Sequence, residues 1–183
     1  MSAKILLGVS GSIAAYKAAD LVRLLRRRGW EVSVMMTRSA TAYVGPLTFR
    51  ALTGRPVAAG EFHEEGEHMF LHIDLARWAD LVLVAPCTAN LLAKLAHGLA
   101  DDIVSATALA SRAPLMVAPA MNTAMWENPA TRANVATLKE RGVQVLDTEA
   151  GELACGEVGE GRLLAPEVIA EAVAAFLAGL SGP

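Results

Sequence analysis

Five short apolar segments, separated by stretches with helical periodicity, constrain the fold of this chain most strongly. They comprise residues 4–9, 31–36, 81–85, 115–118 and 144–146. Short apolar runs of this kind are typical of strands that are buried on both faces. Helical patterns, such as residues 14–28, 89–97 and 129–141, lie between them. This alternation predicts an α/β fold with a doubly wound, Rossmann-like or flavodoxin-like parallel sheet.

Length and composition predict one globular domain. The chain has 183 residues, of which 54% are hydrophobic and 19% are charged. The net charge of −3 and the scattered basic residues argue against a nucleic-acid surface. No apolar stretch reaches the roughly 20 uncharged residues of a membrane span, and the N-terminus lacks a signal peptide's cationic start. We therefore expect a cytoplasmic protein that has no membrane partner.

The histidine and cysteine pattern predicts no metal site. His63 and His68 fall in the polar segment 54–70, which we expect to be an exposed loop, and no further ligands stand at a compatible spacing. Cys87 and Cys155 are too far apart in sequence for a metal-ligand pair, and they need not form a disulfide in a reducing cytosol.

The turn after the first apolar segment is a candidate phosphate site. It reads Gly-Val-Ser-Gly-Ser-Ile over residues 8–13, which does not complete the dinucleotide fingerprint, and no acidic residue for a ribose ends the second segment. Ser10, Gly11 and Ser12 instead offer hydroxyls and amides at a helix N-terminus, which suits the terminal phosphate of a mononucleotide such as FMN. Arg38, between Thr37 and Ser39, keeps NADP open as an alternative, and many such turns bind nothing.

Residues 119–126, Pro-Ala-Met-Asn-Thr-Ala-Met-Trp, directly follow the fourth apolar segment. Ligands of open α/β sheets bind at the carboxyl ends of strands, so Asn122, flanked by Met121, Met125 and Trp126, is a candidate pocket wall. In the alternative interpretation Asn122 only caps a helix and the methionines fill the core.

Three further segments carry polar groups near predicted strand ends. Thr88 and Asn90 follow the third strand, where they could contact the polar edge of the FMN ring system or cap a helix. His72 precedes that strand, and histidine is a side chain that commonly moves protons in enzymes. Residues 149–161 contain four glycines and no apolar period, so we expect a mobile loop over a site, with Cys155 on it.

Three motifs, in this order, resemble those of the flavin-containing cysteine decarboxylases. They are His-Ile-Asp-Leu at 72–75, the segment 119–126 and Ala-Cys-Gly at 154–156. The pattern resembles best the branch of that family that decarboxylates phosphopantothenoylcysteine (PPC) to phosphopantetheine in coenzyme A biosynthesis. The resemblance covers about residues 4–166 and implies a single FMN-binding decarboxylase domain over 1–183, with a substrate-covering flap at about 148–162. Two departures are Cys87, where relatives often have Ser or Thr, and Glu157, where they usually have Asp.

The resemblance also implies the roles of individual residues. Catalysis would fall to His72 as base or proton carrier, to Asn122 as the group that orients the substrate carboxylate, and to Cys155 in the reductive half. FMN would be bound by Gly11, Ser12, Ile13, Thr37, Ser39, Cys87, Thr88, Ala89, Asn90, Ala118 and Met121. The substrate would be bound by Lys17, Arg77, Asn122, Met125, Ala154 and Cys155.

The reaction implied by the resemblance needs an electron sink, because decarboxylating an ordinary cysteine amide leaves a carbanion that nothing stabilises. Oxidation of the substrate's CH2–SH group to a thioaldehyde by FMN would provide that sink. After CO2 has left, the ene-thiolate would be protonated and then reduced by the reduced flavin, with no net redox change. The family resemblance further implies a homo-oligomer built from trimers, as a trimer or dodecamer, and a fused or separate phosphopantothenate–cysteine ligase. The alternatives are a peptidyl-cysteine decarboxylase, a prenyl-flavin-making transferase and a non-catalytic flavin-binding regulatory subunit.

Overall fold

A parallel sheet of six strands forms the centre of the protein. The computed structural model describes residues 2–60, 70–154 and 156–180. The sheet has the order β3-β2-β1-β4-β5-β6. Its strands are β1 Lys4–Val9, β2 Glu31–Met36, β3 Val57–Ala59, β4 Leu81–Cys87, β5 Leu115–Pro119 and β6 Gln144–Val145. Two further strands, β7 Glu149–Glu152 and β8 Val158–Arg162, pair antiparallel as a separate hairpin.

Helices cover both faces of the sheet. They are α1 Lys17–Arg27, α2 Pro46–Thr53, α3 Leu71–Trp78, α4 Ala89–His97, α5 Ile103–Ala110, α6 Thr123–Glu127, α7 Pro129–Glu140 and α8 Pro166–Leu180. On one face, α1, α2 and α8 pack against alternate residues of the central strands, such as Ile5 and Leu7. On the other face, α4, α5 and α7 pack against the intervening residues, such as Leu6 and Val82. The sheet is therefore doubly wound, as predicted.

The order of the strands reverses between β1 and β4. The chain moves outward from β1 through β2 to β3 and then crosses back to β4, so the connections after β1 and β4 leave the sheet on opposite faces. The gap between them, at the carboxyl edge, is the switch point where open α/β sheets bind ligands.

Two segments have more regular structure than their composition predicts. Strand β3 lies within residues 54–70, which we expected to be a loop, because its three residues complete the sheet by pairing with β2. Residues 149–161, expected to be a mobile loop, contain most of the β7–β8 hairpin. The other predicted strands and helices agree with the structure to within a few residues, except that a 3-10 turn, Ile13–Tyr16, precedes α1. His63 and His68 lie outside the described residues.

Gly8 lies in close contact with a helix in the middle of the sheet. A Cβ atom at this position would lie 2.9 Å from Val104 Cγ1 of α5 and 3.3 Å from both Met35 Cε and Val84 Cγ2. We therefore expect Gly8→Ala to lower the free energy of unfolding by about 1–3 kcal/mol through overpacking, as measured by urea denaturation. Gly179→Ala is the control, because a Cβ there meets nothing within 4 Å and alanine favours the helix. Equal losses of stability in both variants would contradict the packing argument.

Candidate active site

Ser10 links the turn that follows β1 to the segment that ends β4, and these two parts of the chain form the switch point. Its Oγ donates a hydrogen bond to Pro86 O at 2.7 Å and accepts one from the backbone N–H of Thr88 at 2.9 Å. Its own N–H donates to Pro86 O at 3.2 Å. Because Ser10 is buried, these bonds fix the ends of β1 and β4 relative to each other.

The glycine of the first turn packs directly against the end of β2. A Cβ atom on Gly11 would lie 2.5 Å from Ser39 Oγ, so a larger residue would push the two segments apart. The hydroxyl groups of Ser39 and Thr37 are 3.1 Å apart. Ser12 Oγ accepts a hydrogen bond from the N–H of Ala14 and caps the 3-10 turn. The structure thus brings together the turn and the hydroxyls that the sequence suggested as a phosphate site.

A cavity of about 480 Å³ opens beside these groups, and we call it the switch-point cavity. Its lining includes Thr37, Ser39, Thr88 and Asn90, four of the predicted cofactor-binding residues. Lys94 also lines it, with Nζ 2.6 Å from Asp101 Oδ1 and 2.9 Å from Asp102 Oδ2. Burial alone would lower the pKa of Lys94, but hydrogen bonds and charge interactions with the two carboxylates raise it overall. The positive charge of Lys94 is therefore already neutralised by neighbours.

A second cavity, of about 590 Å³, lies between the first turn and the β7–β8 hairpin, and we call it the hairpin cavity. The predicted site residues in its lining are Ser12, Ile13, Lys17, Met121, Asn122 and Ala154. Arg162, which the sequence reasoning missed, also lines it. Its position on β8 became apparent only from the hairpin, since a glycine-rich segment gives no periodicity to show which side chains face a site.

Lys17 is a cation at the wall of the hairpin cavity. Its Nζ donates to Leu163 O at 3.4 Å. Burial lowers the pKa of Lys17, and the positive charge of Arg162 lowers it further, while Glu149 and Glu167 oppose both effects. Lys17 and Arg162 place two cationic groups along one cavity, and Arg162 Nε lies 3.7 Å from Glu149 Oε2. Two cations along one cavity suit an anionic ligand.

The hairpin is anchored to the segment that follows β5. The N–H of Met121 donates to Gly161 O at 2.9 Å, and Thr123 Oγ1 donates to Glu160 O at 2.7 Å. Glycines allow this approach, because a Cβ on Gly159 would lie 2.5 Å from Thr123 Oγ1 and one on Gly161 would lie 2.5 Å from Met121 O. The glycines that suggested a mobile loop thus permit close backbone packing.

Asn122 lines the hairpin cavity and also caps a helix. Its Oδ1 accepts the N–H of Ala124 at 2.8 Å and so caps α6, while its Nδ2 faces the hairpin and donates to a carboxylate oxygen of Glu157. Its neighbours Met125 and Trp126 are not among the residues that line either cavity. Met125 is 48% exposed on the surface of α6.

The other candidate residues are distributed more widely. His72 lies in the first turn of α3 and lines neither cavity, whereas Arg77, in the last turn, lines a separate cavity with Arg112. Ala89 begins α4, and Cys87 and Ala118 are fully buried in β4 and β5. Cys155 lies outside the described residues. Nothing in the structure tests the roles predicted for these residues.

The described residues contain neither a metal-ligand cluster nor a membrane-spanning helix. Residues 2–60, 70–154 and 156–180 contain no group of three or more His, Cys, Asp or Glu side chains that could hold a metal ion. Over the same ranges, no helix is long and apolar enough to cross a membrane.

A doubly wound sheet with polar turns at its switch point defines a nucleotide-binding type of α/β protein. The Flavoprotein family matches residues 1–178 of this chain. The chain therefore belongs to the Flavoprotein family, as the motifs predicted.

Individual relatives and solved structures agree with this family. The chain is 51% identical over 163 residues to the coenzyme A biosynthesis bifunctional protein CoaBC of Vibrio vulnificus strain YJ016, and the match covers 89% of this chain and 41% of that protein. It thus spans about two fifths of that relative. A cysteine-to-serine variant of PPC decarboxylase, complexed with pantothenoylaminoethenethiol, superimposes with a TM-score of 0.85 at 33% identity, covering 97% of this chain and 99% of the other. The FMN-binding protein AtHal3 has a TM-score of 0.81 at 34% identity, covering 96% and 97%.

The buried thiol of Cys87 gives a prediction about reactivity. Complete burial raises the pKa of Cys87 far above its ordinary value, so the reactive thiolate is scarce even in alkaline solution. A Cys155→Ser protein, in which Cys87 is the remaining cysteine, should not react with a disulfide-exchange reagent in the native state and should react fully in denaturant. Absorbance of the released chromophore measures both reactions. Rapid labelling of the native variant would show that Cys87 is accessible.

Proposed function

We propose that this domain catalyses the FMN-dependent decarboxylation of phosphopantothenoylcysteine to phosphopantetheine, a step of coenzyme A biosynthesis. The proposal rests on where Asn122 lies in the structure, together with the membership of this chain in the Flavoprotein family. Its amide lines the hairpin cavity together with the first turn, next to the groups suited to a mononucleotide phosphate. The reaction takes place in the cytoplasm, where the substrate thiol stays reduced.

The turn residues fit FMN. Because Gly11 has no Cβ, the turn packs closely on Ser39, next to the hydroxyl groups of Thr37 and Ser39. Together with the hydroxyl of Ser12, these groups suit the single terminal phosphate of a mononucleotide. Thr88 and Asn90, across the switch-point cavity, would contact the polar rim of the ring system. When bound, FMN would supply the two-electron oxidation of the substrate to a thioaldehyde and the return of those electrons after CO2 has left.

The residues of this chain bind, orient and move protons. Asn122 Nδ2 orients the substrate carboxylate by donating a hydrogen bond, and helix capping by Oδ1 fixes which end of the amide faces the substrate. Lys17 is the cation for the substrate's phosphate or amides, and Arg162 adds a second positive charge. His72 accepts the proton released as the substrate is oxidised, and Cys155 provides a proton after decarboxylation.

We further propose that the site is completed between subunits of a trimer-based oligomer. Helix α3 leads into the amino end of β4, so its first turn, with His72, lies toward the carboxyl edge of the sheet. His72 is nevertheless not among the described residues that line the hairpin cavity of its own chain. A neighbouring subunit would supply the missing histidine. A ligase domain, fused or separate, is the proposed source of the substrate, since the bifunctional relative is more than twice as long as the match.

Three variants separate the roles of the catalytic candidates. Cys155→Ser should still release CO2 from phosphopantothenoylcysteine but accumulate the oxidised ene-thiol product. His72→Asn and Asn122→Asp should stop before CO2 release, with rates reduced by about 10²- to 10⁴-fold, because one lacks the proton acceptor and the other repels the substrate carboxylate. Mass spectrometry identifies the products. Mild denaturation should release FMN from every variant.

Two controls accompany this experiment. Glu127→Gln changes an exposed residue of α6 that has no predicted role and should leave the product unchanged. A peptide ending in cysteine tests the alternative substrate. If Cys155→Ser produced the normal saturated amine at an unimpaired rate, Cys155 would have no part in the reaction.

Mixing inactive variants tests whether the site is shared between subunits. If His72 of one chain serves Asn122 of another, randomly reassembled oligomers of His72→Asn and Asn122→Asp should regain about one quarter of the wild-type activity, because about one quarter of the sites combine two intact residues. Reassembly of each variant alone is the control. No recovery in mixed oligomers, with both variants confirmed in one assembly by mass, would place both residues within a single chain's site.

A further inference from the structure

The amide of Asn122 is held at both ends, which fixes the direction of its hydrogen-bond donor. Oδ1 accepts the N–H of Ala124 at 2.8 Å as the cap of α6. Since the oxygen is committed to the helix, Nδ2 must face the hairpin, where it donates to Glu157 Oε2. A carboxylate of the protein itself therefore occupies the donor that the proposed function assigns to the carboxylate of the substrate.

The rest of the hairpin is anchored without the Glu157 side chain. Strand β8 is held by the bonds from Met121 N–H to Gly161 O and from Thr123 Oγ1 to Glu160 O. The tip is closed by its own backbone, since the N–H of Leu153 donates to Glu157 O at 2.8 Å. Glu157 is exposed, so its side chain can turn away from Asn122 into solvent while these bonds remain in place. The contact is separable from the fold of the hairpin.

We infer that Glu157 is an internal competitor for the substrate carboxylate at Asn122. This inference rests on the proposed function. Nδ2 carries two N–H groups on one nitrogen, so a substrate carboxylate that bonds to it would lie next to the tethered carboxylate of Glu157. The two negative charges repel each other, so binding of the substrate carboxylate and the contact of Glu157 with Asn122 oppose each other.

Competition between Glu157 and the ligand affects the substrate but not the product. Phosphopantothenoylcysteine carries the carboxylate that competes with Glu157, whereas phosphopantetheine has lost it as CO2. The product therefore does not need the Asn122 donor, and Glu157 can return to it while the product is still bound. Glu157 thus weakens the binding of the substrate selectively and restores the starting arrangement after each turnover.

Binding measurements with two ligands test this inference. In a His72→Asn background, which prevents turnover, Glu157→Ala should bind phosphopantothenoylcysteine roughly three- to tenfold more tightly, the scale of one hydrogen bond at an exposed site. The affinity for phosphopantetheine should stay unchanged. Glu157→Gln, which keeps an acceptor but loses the charge, should lie between the parent and the alanine variant. Isothermal titration calorimetry measures all the affinities.

Glu160→Ala is the matched control for this experiment. Glu160 is an exposed carboxylate on the same hairpin, and its recorded contact uses its backbone oxygen, so both affinities should stay at the parent values. A Glu157→Ala protein that binds the substrate no better, or that changes equally for both ligands, would overturn the inference and leave the proposed function standing. If the parent failed to bind phosphopantothenoylcysteine at all, the proposed function and the inference would both be wrong.

Discussion

Burial of the sheet on both of its faces is the constraint on which the rest of this structure depends. Side chains on alternating positions of β1 and β4 enter two separate cores, so apolar side chains fill most of the middle of the sheet. At Gly8 even a methyl group would collide with α5. Polar chemistry is therefore confined to the segments that leave the sheet, and the reversal of strand order brings several of them together at one edge.

The two cavities at this edge differ in how their charges are arranged. In the switch-point cavity, Lys94 is paired with Asp101 and Asp102, and the lining also contains Arg38 beside the hydroxyl and amide groups of the proposed FMN site. In the hairpin cavity, Lys17 and Arg162 lie close enough for one charge to lower the pKa of the other. The hydroxyl groups and Arg38 suit a phosphate in the first cavity, and the two cations suit an anionic substrate in the second.

The hairpin shows how glycine can act through close packing. Gly159 and Gly161 let β8 lie against residues 121–123, and the resulting backbone bonds hold a cavity wall beside Asn122. The same arrangement brings Glu157 to the Nδ2 end of the Asn122 amide. The side chain of Asn122 thus caps α6, lines the hairpin cavity and contacts the tip of the hairpin. The local structure around α6 and the proposed chemistry therefore depend on the same amide.

The sequence by itself determined the parallel sheet, because runs of apolar residues signal strands that must be buried, and it located the polar segments that end β1, β2, β4 and β5. It also carried the three motifs that indicate the family. It did not show the β3 edge strand, whose three residues gain order only by pairing with β2, or the hairpin, whose glycines resemble those of a loop. Only the tertiary structure decided which groups meet. Asn122 and Glu157 are 35 positions apart, and no periodicity relates them, because their contact depends on how β8 packs against the end of β5.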